Sequence, residues 1–366
     1  MTQKSLGGLD WQEVVDRLGG GWSLAESARE TKAFLRSRVI ETPVDLLRII
    51  LAYCLGTGGL RATSAWAASV GLVDISNVGL LQRLRRCGAW LELLVGQALA
   101  AGAPKASHGR LIRLVDATTV PKTGKLDRAK NGVWRVHAAF DLPHERFGFF
   151  ELTDEKGGET LDRIPVVPGE IRIGDRAYLQ PDRIAPVLGA GADIVVRAPG
   201  KSVSWRDAED RPLDLIKVLR SGETAGIIDQ PIGIGRKSGN TLNLRLVAVR
   251  KPPEAAEAAK RTARRNAQKG GHKISKDTLI AAEWVILVTS LDADTFSTND
   301  VLDLYRLRWR IELGFKRLKT IIGLKGPPGT HPQSARPYVL AHLLAILLLE
   351  PVIDEFEDSP HWDIAA

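Results

Sequence analysis

Apolar residues recur at helical spacing through the first hundred residues. The stretches that carry this pattern are Trp11 to Leu18, Leu24 to Arg38, Pro43 to Leu55 and Leu80 to Ala100. A helix turns by about 100° per residue, so this spacing gives each stretch one apolar face that must pack against a neighbour. Thr42 directly before Pro43 is typical of a helix cap and first turn. The pattern predicts an all-helical N-terminal unit over residues 1–104.

Two shorter helical patterns inside this unit have the spacing of a helix-turn-helix. They run from Leu60 to Ala68 and from Ser76 to Cys87, with a break at Gly71. The second one carries three arginines: Arg83, Arg85 and Arg86. A DNA-recognition helix and a plain helical bundle both produce this string, so both interpretations stay open.

From residue 110 onwards the pattern changes to β-strands. Leu111 to Val115 is a β-rich apolar run followed by Asp116, and Glu170 to Gly174 is followed by Asp175. Between and after these runs the pattern predicts strands at Val133 to Leu142, Arg146 to Thr153 and Ala192 to Arg197, and short helices at Gly158 to Ile164 and Pro181 to Leu188. Open α/β sheets bind ligands at strand ends, so the two aspartates are expected to meet if their strands are neighbours. The alternative is that each aspartate only caps a turn.

A segment between Arg197 and Trp284 interrupts this α/β pattern. It contains strand-like runs at Ala225 to Ile234 and Thr241 to Val249, and then a strongly basic stretch from Arg250 to Lys276. We interpret the basic stretch as a mobile loop that lies against the DNA backbone. A disordered, solvated loop is the alternative.

The stretch from Leu304 to Lys319 predicts an amphipathic helix with a chemical face. On a helix Tyr305, Arg308, Glu312 and Lys319 fall within an arc of about 60°. A single acid among arginines and lysines stays ionised and suggests a metal ligand beside bound phosphate. A solvated basic helix with one balancing acid is the alternative.

These four residues match Y-x2-R-x3-E-x6-K in register, which resembles the signature of the DDE transposases of insertion-sequence family four. The words Asp116-Ala-Thr-Thr and Gly174-Asp175-Arg-Ala-Tyr also look like the first and second acid motifs of that family. The resemblance implies an α/β fold with a ribonuclease-H-like catalytic core that is interrupted by a β-rich insertion and preceded by the helical N-terminal domain.

The resemblance also implies the chemistry and the site residues. Asp116, Asp175 and Glu312 would hold two Mg²⁺ ions, for which Mn²⁺ can substitute, and cut and join DNA through a hairpin intermediate. Tyr305, Arg308 and Lys319 would bind DNA phosphates. Trp284 would stack on a flipped base, with a core position at a strand start as the alternative, and Arg197 is assigned to the DNA-binding set. His137 is interpreted as a core histidine outside the catalytic set.

Composition agrees with a DNA partner but does not decide it. The 366 residues carry a net charge of +8, with a pI near 9.5, and basic proteins need not bind nucleic acid.

Cys54 and Cys87 form no C-x2-C pair, so neither a disulfide framework nor a cysteine zinc site is predicted. The N-terminus lacks an apolar signal core, and the apolar run Tyr338 to Leu349 is too short to span a bilayer. We therefore predict a cytoplasmic, nucleoid-associated bacterial protein.

The predicted domains are a helical DNA-binding unit (1–104), the first part of the core (105–198), a β-rich basic insertion (199–282), the second part of the core with the catalytic helix (283–322) and a C-terminal helical tail (323–366). The expected partners are double-stranded DNA, as terminal inverted repeats and target, and a second copy of the chain on that DNA. Two other classes stay open: a two-metal nuclease without strand transfer, and an inactive transposase-derived DNA-binding protein.

Overall fold

The computed structural model describes residues 10–101, 109–122, 132–142, 146–200, 203–320, 322–328 and 331–357. The helices are α1 (Trp11–Arg17), α2 (Gly20–Glu30), α3 (Pro43–Leu55), α4 (Leu60–Ser69), α5 (Asn77–Arg86), α6 (Gly88–Ala101), α7 (Pro181–Gly189), α8 (Leu215–Ser221), α9 (Pro253–Lys269), α10 (Lys276–Ala282), α11 (Thr298–Arg306), α12 (Trp309–Thr320) and α13 (Pro332–Glu357). The strands are β1 (Ile112–Pro121), β2 (Val133–Leu142), β3 (Arg146–Asp154), β4 (Ile171–Gly174), β5 (Asp193–Arg197), β6 (Trp205–Arg206), β7 (Ile227–Gly235), β8 (Thr241–Arg250) and β9 (Trp284–Thr289).

Six helices precede the first strand in the described residues, as the apolar pattern predicted. Thr42 accepts a hydrogen bond from the Asp45 amide at 3.1 Å, and Pro43 occupies the first turn of α3, so the predicted cap is confirmed. The predicted helix from Leu24 to Arg38 is wrong at its C-terminal end. Helix α2 stops at Glu30, and Lys32 adopts a left-handed φ of 60°, which cannot continue a right-handed helix.

Helix α13 packs against α3, α5 and α6 of the N-terminal unit. Arg85 on α5 donates from Nε to Ser334 Oγ of α13 at 3.1 Å, so one of the three arginines of the proposed recognition helix is used inside the molecule. The N-terminal helices and the C-terminal helix therefore share one core.

The nine strands described form one sheet in the order β3-β2-β1-β4-β5-β9-β8-β7-β6. Strands β1, β2 and β3 are antiparallel neighbours, and β4 and β5 then run parallel to β1. Strands β6 to β8, from the segment predicted to be an insertion, continue the same sheet because β8 pairs with β9 and β9 pairs with β5. The chain is thus a mixed α/β protein.

The basic stretch from Arg250 to Lys276 is not the loop that we predicted. It contains the 17-residue helix α9, which begins with Pro253 in its first turn. Alanine, glutamate, lysine and arginine dominate its sequence, and these residues have high helix propensity. Ala256 and Ala267 are buried, and Lys260 bonds to Glu283 at 2.7 Å, so α9 is docked on the protein.

Each face of the sheet is covered by a hydrophobic core. The first core joins the N-terminal helices, α12 and α13 to alternate residues of the strands, including Leu114, Ile173 and Leu287. The second core lies on the opposite face with α7, α8 and residues such as Val115, Val196 and Trp284. Among the described helices, none is long and apolar enough to cross a membrane.

Candidate active site

Strands β1 and β4 bring the two aspartates together. These strands pair in parallel register up to Val115 opposite Gly174, so the next residue on each is Asp116 and Asp175. Neighbouring strands lie about 4.8 Å apart, which makes the two carboxylates immediate neighbours. Asp116 does not end its strand as predicted, because β1 continues to Pro121 in pairing with β2. The strand that ends at this point is β4.

Both aspartates continue the side of the sheet that faces α12. Successive strand residues point to opposite faces, so residues two apart point to the same face. Asp116 therefore lies on the face of Leu114, and Asp175 lies on the face of Ile173. Leu114 and Ile173 belong to the core that contains Ile311 of α12. The acid pair and the helix that carries Glu312 therefore share one face.

Asp116 is half-buried and has a perturbed pKa. Its pKa is raised from 3.8 to about 6, mainly by burial and also by the nearby carboxylates of Glu159 and Asp175. The Ala117 amide, which donates to Asp116 Oδ1 at 2.8 Å, and the Arg308 guanidinium act in the opposite direction. Desolvated, crowded carboxylates of this kind are typical of sites that bind a cation.

The predicted single helix from Leu304 to Lys319 is broken in the structure. Helix α11 ends at Arg306, α12 begins at Trp309, and Leu307 and Arg308 form a turn between them. The amides of Leu307, Arg308 and Arg310 each bond to the carbonyl three residues earlier, which tightens the chain as in a 3₁₀ turn. Apolar periodicity continues across this turn, so the sequence pattern alone does not reveal it.

Arg308 connects the parts of the candidate site. Its Nη2 donates to Glu312 Oε1 at 2.6 Å, and its guanidinium carbon lies 6.0 Å from the centre of the Tyr305 ring. The same guanidinium lies close enough to Asp116 and Asp175 to interact electrostatically with both. All three predicted acids thus surround one arginine.

Lys319 closes the site from the other end of α12. Its Nζ donates to Oγ1 of Thr118, which lies two residues after Asp116 on the same side of β1. The four residues of the Y-x2-R-x3-E-x6-K pattern therefore remain on one side of the acid pair although their helix is broken.

The carboxylates have the chemistry that a divalent cation needs, but Glu312 is bonded to Arg308 rather than grouped with the two aspartates. Asp116 and Asp175 each accept one hydrogen bond from the following backbone amide, which leaves other carboxylate oxygens available. Glu312 is 56% exposed and is held by Arg308. In the described part of the chain no three carboxylate, imidazole or thiolate groups lie close enough to hold a metal ion as placed. The carboxylate oxygens of Asp116, Asp175 and Glu312 are hard ligands of the kind that Mg²⁺ prefers.

Comparison with known proteins decides the family. The family model described as "Transposase DDE domain" matches residues 107–348. The transposase for insertion sequence element IS421 of Escherichia coli is 36% identical over 364 residues, and InsL of insertion sequence element IS186A of Escherichia coli strain K12 is 36% identical over 361 residues. Each comparison covers 96% of both chains. The chain belongs to the DDE transposase family. It is a DNA-cleaving and strand-transferring enzyme.

Trp284 of the transposase lies on the opposite face of the sheet from the acid pair. It is 2% exposed and packs in the second core with Ile286 and Val288. Its ring also lies beside Gly222, at 3.4 Å from where a Cβ would stand. The structure supports the core interpretation, because a base has no exposed ring at Trp284 on which to stack.

Arg197, by contrast, lies at the site. It ends β5 on the same side as Val195, a residue of the core beneath α12, and its side chain contacts Tyr305. Burial raises the pKa of Tyr305, whereas Arg308 and Arg197 lower it. Arg197 therefore lies beside Tyr305 and Arg308 at the candidate site, and its assignment to the DNA-binding set stays a prediction.

His137 has the environment of a core histidine. It is 2% exposed, and its Nε2 lies 2.9 Å from Thr153 Oγ1. Burial, together with Arg163 and Arg135, lowers its pKa to about 4, so the ring is neutral at physiological pH. This agrees with leaving His137 out of the catalytic set.

Glu159 is a site residue that the sequence analysis missed. It follows two glycines in a loop, pairs with Arg135 Nε at 3.4 Å and raises the pKa of Asp116. Only the folding of this loop over β1 brings Glu159 to the acid pair. An acid in a polar loop without periodicity offers no pattern that would have identified it.

Gly314 lets helix α12, which carries Glu312, approach the sheet. A Cβ at this position would lie 2.8 Å from Phe147 Cζ and 3.4 Å from Phe140 Cδ2. Gly314→Leu should therefore push α12 away and displace Glu312. We expect DNA cleavage to fall by about 10–100-fold, as for other small misplacements of catalytic groups, and stability to fall by about 1–3 kcal/mol.

Cleavage of a labelled DNA end and urea unfolding measure these two effects. Gly96→Leu is the matched control, since Gly96 lies exposed on α6 and an added Cβ meets no atom within 4 Å. Equal cleavage by the two variants would show that close packing at Gly314 does not position Glu312.

Proposed function

We propose that this transposase excises and inserts an insertion sequence by two-metal phosphodiester hydrolysis and strand transfer, with Asp116, Asp175 and Glu312 as the ligands of two Mg²⁺ ions. The observation that carries the proposal is the register that sets Asp116 beside Asp175, under the helix that carries Glu312. Enzymes with DDE domains use divalent metal ions, and a donor set of oxygens alone suits Mg²⁺, with Mn²⁺ as a substitute.

The strand order supports a ribonuclease-H-like core. Three antiparallel strands followed by two parallel ones, in the order β3-β2-β1-β4-β5, are the arrangement that the sequence resemblance implies. The first acid lies on β1, the second directly after β4, and the third on a late helix. We propose that β6 to β8 with α8 to α10 are the insertion into this core, joined to it through β9.

Bound divalent ions would supply a Lewis acid at the scissile phosphate and lower the pKa of the attacking water. The carboxylates of the chain hold their positions through the Ala117 and Arg176 amides, at 2.8 and 2.7 Å. Water attacks phosphorus, the bond to the 3′ oxygen breaks, and that oxygen leaves as a 3′-hydroxyl that carries the proton lost by the water. In the second step this 3′-hydroxyl attacks another phosphodiester and displaces a new 3′-hydroxyl.

Arg308 and Lys319 are proposed to hold the DNA strand during both steps. A guanidinium binds two phosphate oxygens as a fork, and an ammonium acts as a point charge. Arg308 donates to Glu312, so a phosphate that binds Arg308 would free Glu312 for the acid pair. Tyr305, under Arg308, completes this clamp. The motif also supports membership of insertion-sequence family four and a hairpin intermediate, in which the first 3′-hydroxyl attacks the opposite strand.

We propose that the N-terminal helical unit recognises the DNA ends, and that α4 and α5 act as a helix-turn-helix that contacts the bases. Arg86 is exposed, whereas Arg85 is bonded to α13. Because α13 packs into this unit, binding must be tested on the full chain. The proposed partners are double-stranded DNA, as terminal inverted repeats and target, and a second copy of the chain on that DNA.

A single assay tests the proposed function. The purified chain is incubated with Mg²⁺, a labelled DNA carrying the terminal repeat of its own element, and a target plasmid. The proposal predicts a nick, a hairpin on denaturing gels, and labelled ends covalently joined to the plasmid. Cutting without joined product would favour the two-metal nuclease. Binding without cutting would favour the inactive DNA-binding protein.

A further inference from the structure

Four strand ends meet beside the acid pair and bring three cations to one edge of the sheet. Strands β4 and β5 run parallel and end at this edge, β9 starts there because it is antiparallel to β5, and β8 ends there because it is antiparallel to β9. The residues at these ends include three cations: Arg176 after β4, Arg197 at the end of β5 and Lys251 after β8.

Strand alternation turns two of these cations toward the same face as Asp116. Arg197 lies two residues after Val195, and Lys251 lies four residues after Val247, so each cation is on the same face as that valine. Val195 and Val247 both belong to the core beneath α12. Trp284, on β9, follows the opposite alternation and belongs to the second core. The cations therefore lie on the catalytic side of the sheet.

The three cations lie close enough to interact electrostatically. Burial lowers the pKa of Lys251, and the positive charges of Arg197 and Arg176 lower it further. Lys251 Nζ donates to the Ala282 carbonyl at 2.6 Å, and the Lys251 amide donates to the Glu283 carbonyl at 2.8 Å. The backbone at the end of α10, just before β9, thus holds Lys251 near the arginines despite the repulsion between their positive charges.

Glu283, whose backbone bonds to Lys251, has a carboxylate that is already paired with other cations. Glu283 bonds to Arg250 at 3.0 Å and to Lys260 at 2.7 Å, through its two carboxylate oxygens. Within the described residues, none of Arg176, Arg197 and Lys251 forms an ion pair with a carboxylate. Like charges held together without an acid partner are arranged to receive an anion.

We infer that Arg176, Arg197 and Lys251 form a second phosphate-binding site, which holds one backbone phosphate of the DNA strand next to the scissile phosphodiester. This inference rests on the proposed function and adds Arg176 and Lys251 to the residues that position DNA. The site is separate from the Arg308 and Lys319 clamp, and Arg197, in contact with Tyr305, connects the two. Two phosphates held at fixed positions define the direction of the DNA strand, whereas a single phosphate does not.

The test measures DNA binding by the full chain as a function of salt. Lys251→Gln should lower the slope of the logarithm of the binding constant against the logarithm of salt concentration by about 1, because one phosphate contact is lost. Lys217→Gln, an exposed lysine on α8, removes the same charge elsewhere and should leave the slope unchanged. Lys251→Arg should keep the wild-type slope.

Neutral methylphosphonates placed singly along the terminal DNA then locate the contact. A methylphosphonate at one position near the cleavage point should weaken DNA binding by the unaltered chain. The same methylphosphonate should not weaken DNA binding by Lys251→Gln any further. Arg176→Gln, a change at an exposed residue, should give the same non-additive result if Lys251→Gln fails to fold.

An unchanged salt slope, or additive losses at every position, would overturn the second phosphate site. Failure of the proposed function would look different, because the unaltered chain would then neither cut nor join its own terminal DNA.

Discussion

Asp116→Asn, Asp175→Asn and Glu312→Gln are each expected to lower DNA strand cleavage by about a thousandfold or more. An amide of the same shape cannot supply the negative oxygen that a divalent cation requires, and this loss removes several kcal/mol of transition-state stabilisation. The three substitutions should have similar effects, because we propose that the acids, which all interact with Arg308, act as one ligand set.

DNA affinity should separate this effect from a loss of folding. Without metal, removing a carboxylate lowers repulsion of the DNA backbone, so each variant should bind the terminal DNA at least as tightly as the unaltered chain. Asp303→Asn is the matched control: Asp303 lies 65% exposed on α11, bonds to Arg306 and should keep full cleavage. Cleavage at one tenth of the wild-type rate in any acid variant would remove that residue from the metal site.

Trp284→Ala is expected to lower the free energy of unfolding by about 3–5 kcal/mol, the range for truncation of a buried tryptophan. Trp284 is 2% exposed and packs between the sheet and α8, so its loss leaves a large cavity in the second core. Nicking, hairpin formation and joining should then decline together as the folded fraction falls. Urea unfolding measures the first effect and labelled DNA ends measure the second.

Two further tryptophan variants sharpen this test. Trp22→Ala removes a ring that is 83% exposed and should change stability by less than about 0.5 kcal/mol. Trp284→Phe should restore most of the lost stability. A Trp284→Ala protein of normal stability that accumulates nicked DNA would instead support the base-stacking interpretation.

Part of the geometry of the candidate site could be predicted because it depends on local patterns. The strand before Asp175 and the helix of Glu312 each carry strong apolar periodicity, and the spacing of Tyr305, Arg308, Glu312 and Lys319 limits how they can lie on helices. The closeness of Asp116 and Asp175 depends on the pairing of β1 with β4, which the order of elements suggested.

The turn at Leu307 and Arg308 could not be predicted, because it contains no glycine or proline and leaves the apolar period intact. The place of Trp284 was left open because a strand start carries no information about which face is buried until its neighbours are known. Lys251 and Glu159 were missed for the same kind of reason. Each reaches the site through contacts between segments distant in sequence, and neither belongs to a periodic pattern.

Metal-specificity exchange at Asp116 tests most directly whether the acid cluster binds the catalytic metal. Mg²⁺ requires hard oxygen ligands, whereas Mn²⁺ tolerates sulfur better. The native Cys54 and Cys87 are both buried, so Asp116→Cys adds the reactive thiol of the site without competition from them. We expect the Asp116→Cys chain to bind terminal DNA, to be inactive with Mg²⁺, and to recover cleavage with Mn²⁺, while Asp116→Asn stays inactive with both. A folded, DNA-binding Asp116→Cys chain that stays inactive with Mn²⁺, or that cleaves normally with Mg²⁺, would contradict the assignment of Asp116 as a metal ligand.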